Sequence, residues 1–98
     1  MPDRKPTTYT SLADASVFIT GGASGIGEAL VSAFVAQGAK VAFVDIAEEA
    51  GIALVEKLGK DAKHTPLFIT CDITDIAALH KAIADAAAAH GPITALLN

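Results

Sequence analysis

Four glycines lie between a short apolar segment and a segment of helix-forming residues, in the stretch FITGGASGIGEAL at residues 18–30. A helix that begins directly after such a loop leaves its first N–H groups, at Gly25, Ile26 and Gly27, without intrahelical partners, and its dipole favours an anion there. Glycines also let the backbone approach a ligand closely, because no Cβ intervenes. A tight turn alone needs about one or two glycines, so this loop indicates an anion site, for which pyrophosphate is the natural ligand.

Two aspartates follow later apolar segments and can add hydrogen-bond acceptors to this site. Asp45 comes about 18 residues after Gly27, close to the spacing at which an acidic residue binds the ribose of a dinucleotide. Such a carboxylate accepts hydrogen bonds from the 2′- and 3′-hydroxyls of the ribose and repels a 2′-phosphate. Asp72 follows the next apolar segment. Either aspartate could instead cap the following helix or close a turn, and the residues alone leave both interpretations open.

Short β-type segments alternate with helix-type segments, which predicts a doubly wound α/β fold with a parallel sheet. The predicted strands are Ser16–Thr20, Lys40–Val44, Leu67–Cys71 and Thr94–Leu97. The predicted helices run from Gly25 to Gln37 before a cap at Gly38, from near Ala47 to Leu58 before a stop at Gly59, and from a cap at Thr74 or Asp75 to His90. The residues at helical spacing are Ile26, Leu30, Ala33, Phe34 and Gln37 in the first helix and Ile52, Val55 and Leu58 in the second; Ile76, Leu79, Ile83 and Ala86 form an apolar stripe in the third.

The glycine loop reads Thr20-Gly21-x-x-x-Gly25-x-Gly27, which is neither G-x-G-x-x-G nor a P-loop. The spelling TGGASGIG resembles the cofactor loop of the short-chain dehydrogenase/reductase family, and the resemblance extends over residues 12–98. It implies a Rossmann-type doubly wound parallel sheet with strand order 3-2-1-4. It also implies hydride transfer between a nicotinamide cofactor and a small alcohol or carbonyl substrate, in a cytoplasmic protein that forms a homo-oligomer, either a dimer or a tetramer.

The same resemblance assigns cofactor contacts to individual residues. It gives Asp45 to the adenosine ribose, Asp72 to the adenine amino group and Ile73 to the adenine face. Asn98, which ends GPITALLN, matches the first asparagine of the family's N-N-A-G segment. The residues predicted to bind the cofactor are Gly21, Ser24, Gly25, Ile26, Gly27, Asp45, Ile46, Asp72, Ile73 and Asn98.

The residues around Asp45 favour NAD over NADP. Family members that use NADP usually carry Arg or Lys just before the second loop glycine or just after this acid, and here those places hold Ser24 and Ile46. The nearest basic residue, Lys40, lies about 16 Å away along a strand. NAD is therefore the predicted cofactor.

Composition and charge exclude several other partners. The chain of 98 residues has a formal net charge of −4 and no basic cluster, which argues against nucleic acid and anionic membrane surfaces. No apolar run approaches the roughly 18 residues of a membrane helix. The single cysteine, Cys71, indicates a reducing compartment and is expected to be a buried, small apolar side chain.

One domain is expected, in two parts. Residues 1–12 are predicted to be a flexible arm, and residues 13–98 the NAD-binding Rossmann portion. Because the last predicted strand reaches Asn98 without a turn, this βαβαβαβ unit is expected to be the N-terminal portion of a longer single domain.

No catalytic residue and no metal site is predicted within the chain. The family places its catalytic Tyr and Lys in the pattern Y-x-x-x-K, but Tyr9 is the one tyrosine and Ala13 stands where the lysine would be. His64, His80 and His90 are not spaced as metal ligands and are expected to be surface or cap residues.

Two other classes share part of the pattern. An S-adenosylmethionine-dependent methyltransferase has a comparable glycine turn and acids, and a non-catalytic dinucleotide-binding protein could retain this half alone. The sequence favours the dehydrogenase. FVDIAEE, residues 43–49, resembles some aldose dehydrogenases of the family, and 3-oxoacyl and polyol substrates remain open.

Overall fold

The computed structural model describes residues 13–97, which form four strands and three helices in alternation. The strands are β1 (Ser16–Thr20), β2 (Lys40–Asp45), β3 (Leu67–Thr70) and β4 (Ala95–Leu97), and the helices are α1 (Gly25–Ala36), α2 (Glu48–Gly59) and α3 (Ile76–His90). Every predicted element is present, with bounds that differ by no more than a residue. The predicted arm at residues 1–12 and the predicted contact at Asn98 lie outside the described residues.

All four strands are parallel and lie in the order β3-β2-β1-β4. Ser16 pairs with Lys40 across β1 and β2, and Val17 pairs with Ala95 across β1 and β4. This confirms the predicted order 3-2-1-4 of a Rossmann-type doubly wound sheet. Because the strands are parallel, the loops that follow β1, β2 and β3 emerge at one edge of the sheet.

The two central strands are buried on both faces because helices cover each side of the sheet. Alternate side chains of a strand point to opposite faces. Accordingly, Val17 and Ile19 pack towards α1 and α2, whereas Phe18 packs towards α3. The buried residues on the first face are Val17, Ile19, Val31, Val35, Ala39, Val41, Phe43 and Leu54; those on the second are Phe18, Ala42, Val44, Cys71, Ala82 and Ala86. The continuous apolar runs of β1 and β2 are thus explained by two-sided burial.

Most of the large apolar residues predicted at helical spacing pack against the core, but the fully buried helix residues are mostly smaller ones. In α3 the buried residues are Ala82 and Ala86, while Ile76 is 60% exposed. In α1 they are Val31 and Val35, while Ile26 is 81% exposed. Small side chains let a helix backbone approach the sheet, so Val31, Val35 and Ala82, each next to a predicted position, are buried as well.

Helix α2 also packs closely against the sheet through a small residue, Gly51. Gly51 and Leu54 are its buried residues, whereas Ile52 is 46% exposed. A Cβ on Gly51 would overlap the ring of Phe68 on β3, and this ring packs at a centroid distance of 5.1 Å from that of Phe43. The glycine therefore sets how closely α2 lies against the outer strand.

The helix ends agree with the predictions except at one glycine. Gly38, with φ of +85°, follows α1 and donates its N–H to the carbonyl of Val35 at 3.0 Å. The Asp75 carboxylate caps α3 by accepting the N–H of Ala78 at 3.1 Å. Gly59 does not stop α2, because it is the last helical residue and Lys60 follows in helical geometry. Within residues 13–97, none of the helices combines the length and apolar character that crossing a bilayer requires.

Candidate cofactor-binding site

The loops after β1, β2 and β3 line a cavity of about 210 Å³ at the carboxyl edge of the sheet. Its lining residues are Gly21, Asp45, Ile46, Cys71, Asp72 and Ile73. All of these except Cys71 are residues that the sequence predicted to bind the cofactor. Cys71 was predicted as a buried residue and is buried, and its position between the end of β3 and Asp72 also puts it in the wall of the cavity.

A larger cavity, of about 350 Å³, lies elsewhere and contains none of the predicted site residues. It lies between the C-terminal parts of α1 and α2, where Val35, Leu58 and Lys63 are among its lining residues. Parallel α/β sheets bind their ligands at the carboxyl ends of the strands, where helix N-termini supply free N–H groups. The smaller cavity at the carboxyl edge is therefore the candidate site.

Two glycines of the loop have backbone conformations that side chains disfavour. The φ angles are +68° at Gly21 and +58° at Gly25, both in the left-handed region. A Cβ built on either residue would meet no heavy atom within 4 Å. These two glycines therefore border open space, which a ligand can fill.

The other two glycines are required by the packing of the loop itself. A Cβ on Gly27 would overlap the carbonyl oxygen of Gly21. A Cβ on Gly22 would lie 2.7 Å from Cβ of Phe43 and 2.9 Å from Cγ2 of Val31. The spacing alone suggested that the glycines serve ligand approach, and it did not reveal this second reason.

The start of α1 presents backbone donors to the edge of the sheet. Ser24 is the N-cap residue in extended geometry, and its hydroxyl accepts no capping hydrogen bond. The first intrahelical bond runs from the N–H of Glu28 to the carbonyl of Ser24, at 3.3 Å. The N–H groups of Gly25, Ile26 and Gly27 precede that bond and have no partner within the helix. This turn can therefore bind an anionic group.

Hydrogen bonds to the end of β2 hold the first half of the loop. The N–H groups of Gly21 and Gly22 both donate to the carbonyl of Val44, at 2.8 and 3.2 Å. The N–H of Ala23 donates to Oδ2 of Asp45 at 3.1 Å. The loop is thus anchored at three successive residues, and the N–H groups left for a ligand are those of the first turn of α1.

The Asp45 carboxylate joins the glycine loop to the beginning of α2. Its Oδ2 accepts from Ala23, and its Oδ1 accepts from the N–H of Ala47 at 2.9 Å. A carboxylate offers about four lone-pair positions, so acceptor capacity remains on both oxygens for the hydroxyls of a ribose. The sequence left two alternative roles for Asp45, a hydrogen bond to the backbone at the start of α2 and binding of a ligand. The structure makes the two roles compatible.

Asp72 is exposed at the cavity and closes a local turn. Its Oδ1 accepts the N–H of Thr74 at 2.9 Å and the hydroxyl of Thr74 at 2.7 Å. These hydrogen bonds hold the pKa of Asp72 below its usual range, so the carboxylate is ionised at neutral pH. Its contact with an adenine amino group stays a prediction.

Isoleucine side chains give the cavity apolar surface beside the carboxylates. Ile46 is 71% exposed and Ile73 is 44% exposed, so both side chains are accessible from the cavity. Burial raises the pKa of the Cys71 thiol, with Asp75 and Asp72 adding to the shift, so the thiol is neutral. The arrangement fits the adenosine diphosphate half of a dinucleotide, with backbone donors for the phosphates, a carboxylate for the ribose and apolar walls for the base.

The remaining predicted residues lie beside the cavity or outside the described range. Ser24, Gly25, Ile26 and Gly27 form the end of the loop and the start of α1. The hydroxyl of Thr20 donates to the carbonyl of Leu97 at 3.4 Å, so the ends of β1 and β4 are adjacent. Among residues 13–97, no group of three or more His, Cys, Asp or Glu side chains is placed to hold a metal ion.

The parallel sheet with order 3-2-1-4 and helices on both faces defines a doubly wound, Rossmann-type domain, and the comparison with known proteins identifies its family. The family model described as short chain dehydrogenase matches residues 15–98. The chain belongs to the short-chain dehydrogenase family. A solved structure assigned to the same family, from Novosphingobium aromaticivorans, superposes with a TM-score of 0.80 at 28% identity, over 87% of this chain and 31% of that one.

Curated relatives of the chain are dehydrogenases of several small molecules. A probable galactose dehydrogenase of Rhizobium meliloti is 46% identical over 90 residues, which are 92% of this chain and 35% of the relative. A D-xylose 1-dehydrogenase of Caulobacter vibrioides is 38% identical over 92% of this chain and 34% of its own length. A D-threitol dehydrogenase of Mycolicibacterium smegmatis is 41% identical over 82% and 30%. The chain thus spans about a third of the length of these relatives.

Proposed function

We propose that the protein is an NAD-dependent oxidoreductase that transfers hydride between the nicotinamide cofactor and an alcohol or carbonyl substrate. The observation that carries the choice of NAD is the charge of the cavity. Among the described residues that line it, Asp45 and Asp72 are acidic and none is Lys or Arg. A 2′-phosphate beside Asp45 would meet a like charge, whereas the two ribose hydroxyls of NAD would find an acceptor.

The residues of this chain bind and orient the cofactor. The N–H groups of Gly25, Ile26 and Gly27 bind the pyrophosphate, with Gly21 and Ser24 shaping the loop around it. Asp45 binds the adenosine ribose. We propose that Ile46, Asp72, Ile73 and Asn98 make the other cofactor contacts, with Asp72 at the adenine amino group and Ile73 against the adenine face. When bound, the nicotinamide supplies the site that accepts or donates hydride.

Cofactor titration tests this proposal. We expect calorimetry on the whole protein to show NAD binding at least about ten-fold tighter than NADP, because like-charge contacts cost several kcal/mol. Asp45→Ala should weaken NAD binding and reduce the difference between the affinities for NAD and NADP. Asp72→Asn is the matched control, since it removes a carboxylate from the same cavity but not from the ribose position. It should preserve the preference for NAD over NADP. Tighter binding of NADP by the wild-type protein would overturn the choice of cofactor.

An aldose is the substrate class that we propose first. The support is that relatives named for galactose and for xylose align with nearly the whole chain. Polyols, as in the threitol dehydrogenase, and 3-oxoacyl compounds are the alternatives to test. The absorbance of NADH should rise when the whole protein is given D-galactose or D-xylose with NAD. NAD binding without turnover on any of these substrates would favour a non-catalytic dinucleotide-binding protein.

The methyltransferase alternative is disfavoured by the same relatives, which are dehydrogenases. The glycine turn and the acids after β2 and β3 do not by themselves separate the two classes. A competition experiment does, since S-adenosylmethionine should not displace NAD. We further propose a cytoplasmic homo-oligomer, a dimer or a tetramer, which light scattering on the purified whole protein measures directly.

A further inference from the structure

We propose that Asp45 is also a positioning residue for the glycine loop, so that one carboxylate couples ribose recognition to pyrophosphate binding. This inference rests on the proposed function, because it concerns the same dinucleotide site. It differs from the ribose contact in that Asp45 acts here through the loop backbone and not on the ligand.

The geometry that supports the inference is a link between three segments. Asp45 ends β2, and its two oxygens accept from Ala23 in the glycine loop and from Ala47 before α2. Ala23 is 5% exposed and directly precedes Ser24, the N-cap residue of α1. A displacement of Ala23 therefore moves the donors at the start of α1.

The loop needs such a link because of its glycines. Gly21 and Gly25 flank Ala23 and adopt positive φ, and glycine has access to many other conformations at little cost. The bonds from Gly21 and Gly22 to the carbonyl of Val44 use backbone atoms on both sides and persist whatever side chains are present. The bond from Ala23 depends on the side chain of Asp45 and restrains the part of the loop nearest to α1.

Electrostatics and positioning predict opposite effects for removal of this carboxylate. Loss of a negative charge from the cavity should by itself strengthen the binding of a phosphate group. Loss of the restraint on Ala23 should weaken it, because the donors must then be ordered when the ligand binds. The contribution of the phosphates to affinity therefore distinguishes the two roles.

The experiment compares adenosine with ADP on the whole protein. The ratio of the two dissociation constants measures what the diphosphate adds to binding. A pure ribose role weakens both ligands equally and leaves the ratio unchanged. In Asp45→Ala we expect the ADP advantage to fall by about three- to ten-fold, which lies within the range for the loss of one typical hydrogen bond.

Two further variants make the comparison decisive. Asp72→Asn is the control, because Asp72 bonds to Thr74 and not to the loop, and the ADP advantage should stay equal or rise. Asp45→Asn keeps the shape of the side chain but leaves either Ala23 or Ala47 facing an amide N–H₂ group. Its ADP advantage should lie between those of the wild type and Asp45→Ala. It replaces Asp45→Ala in the comparison if that variant does not fold.

Hydrogen exchange of the Ala23 amide provides a readout without ligand. It should be faster in Asp45→Ala and Asp45→Asn than in the wild type and Asp72→Asn. An unchanged or increased ADP advantage in the Asp45 variants would overturn the positioning role. If the wild-type protein bound neither adenosine nor ADP, the proposed function would fail instead, and the exchange rate of Ala23 would still decide whether Asp45 restrains the loop.

Discussion

Replacing Gly27 with alanine should separate the glycine loop from α1 and thereby weaken NAD binding. The added Cβ would overlap the carbonyl oxygen of Gly21, and it would lie 2.7 Å from the carbonyl carbon of Gly21 and 3.0 Å from Cα of Gly22. Carbon atoms pack at about 3.5–4.0 Å, so the start of α1 must move by about 1 Å. Since the obstructing atoms belong to the backbone, no change of rotamer can relieve the overlap.

The size of the effect follows from that displacement. An N–H···O bond of about 2.9 Å that lengthens by about 1 Å is no longer a hydrogen bond. Losing one such bond to a charged phosphate costs about 1.5–3 kcal/mol, which corresponds to a rise in the NAD dissociation constant of about ten- to 100-fold. Overpacking should also lower the free energy of unfolding by about 1–3 kcal/mol.

Calorimetric titration of NAD and urea unfolding of the whole protein measure both effects. Gly59→Ala is the matched control, because a Cβ there would meet only the side chain of Thr65, with its methyl group at 3.3 Å and its hydroxyl oxygen at 4.0 Å, and Gly59 is helical. Alanine favours a helix over glycine by up to about 1 kcal/mol, so this variant should keep its stability and its NAD affinity. A folded Gly27→Ala protein with wild-type NAD affinity would show that the contact between the loop and α1 does not position the phosphate donors.

Two other predictions concern backbone conformation and pH. Gly25→Val and Gly91→Val should each lower the free energy of unfolding by about 1–3 kcal/mol, because both glycines have positive φ. Both also border open space. Only Gly25→Val should abolish NAD binding in a calorimetric titration, since its side chain enters the space needed by the pyrophosphate. Burial lowers the pKa of His90, with Lys40 and His64 adding to the shift. The unfolded chain therefore binds a proton at this residue more readily than the folded protein does, and the free energy of unfolding should fall as the pH drops below about 6.5. His90→Gln should reduce this fall when urea unfolding is measured against pH.

Each of these predictions has an outcome that contradicts it. Equal NAD affinities for the Gly25→Val and Gly91→Val variants would show that Gly25 has no specific role in binding the pyrophosphate. His80→Gln is the control for the histidine, since His80 is exposed on the same helix α3. If His90→Gln and His80→Gln changed the pH profile alike, burial of His90 could not be the cause.

The sequence predicted most of the residues that line the candidate cavity, because ligand sites in this fold lie at the carboxyl ends of the strands. Asp45 and Asp72 each follow an apolar β-type run, and in a parallel sheet such positions share one edge. Their convergence with Gly21 around one cavity is therefore a consequence of chain order. The restraint of Ala23 by Asp45 could not be predicted, because it joins residues from separate segments through a backbone N–H that any residue type would offer.

The sequence by itself determined the order of the strands and helices and the family, since periodicity, punctuating glycines and a specific loop spelling are local properties of the chain. The strand order 3-2-1-4 was implied by the resemblance to that family. Only the tertiary structure decided which residues of each helix are fully buried and what each glycine does. Ala82 is buried while Ile76 is exposed, because the distance between helix and sheet selects side chains by size as well as by hydrophobicity. Gly25 and Gly27 look alike in the sequence, yet one borders open space and the other touches the carbonyl of Gly21, because a contact between two backbone segments exists only once the loop has folded against the helix.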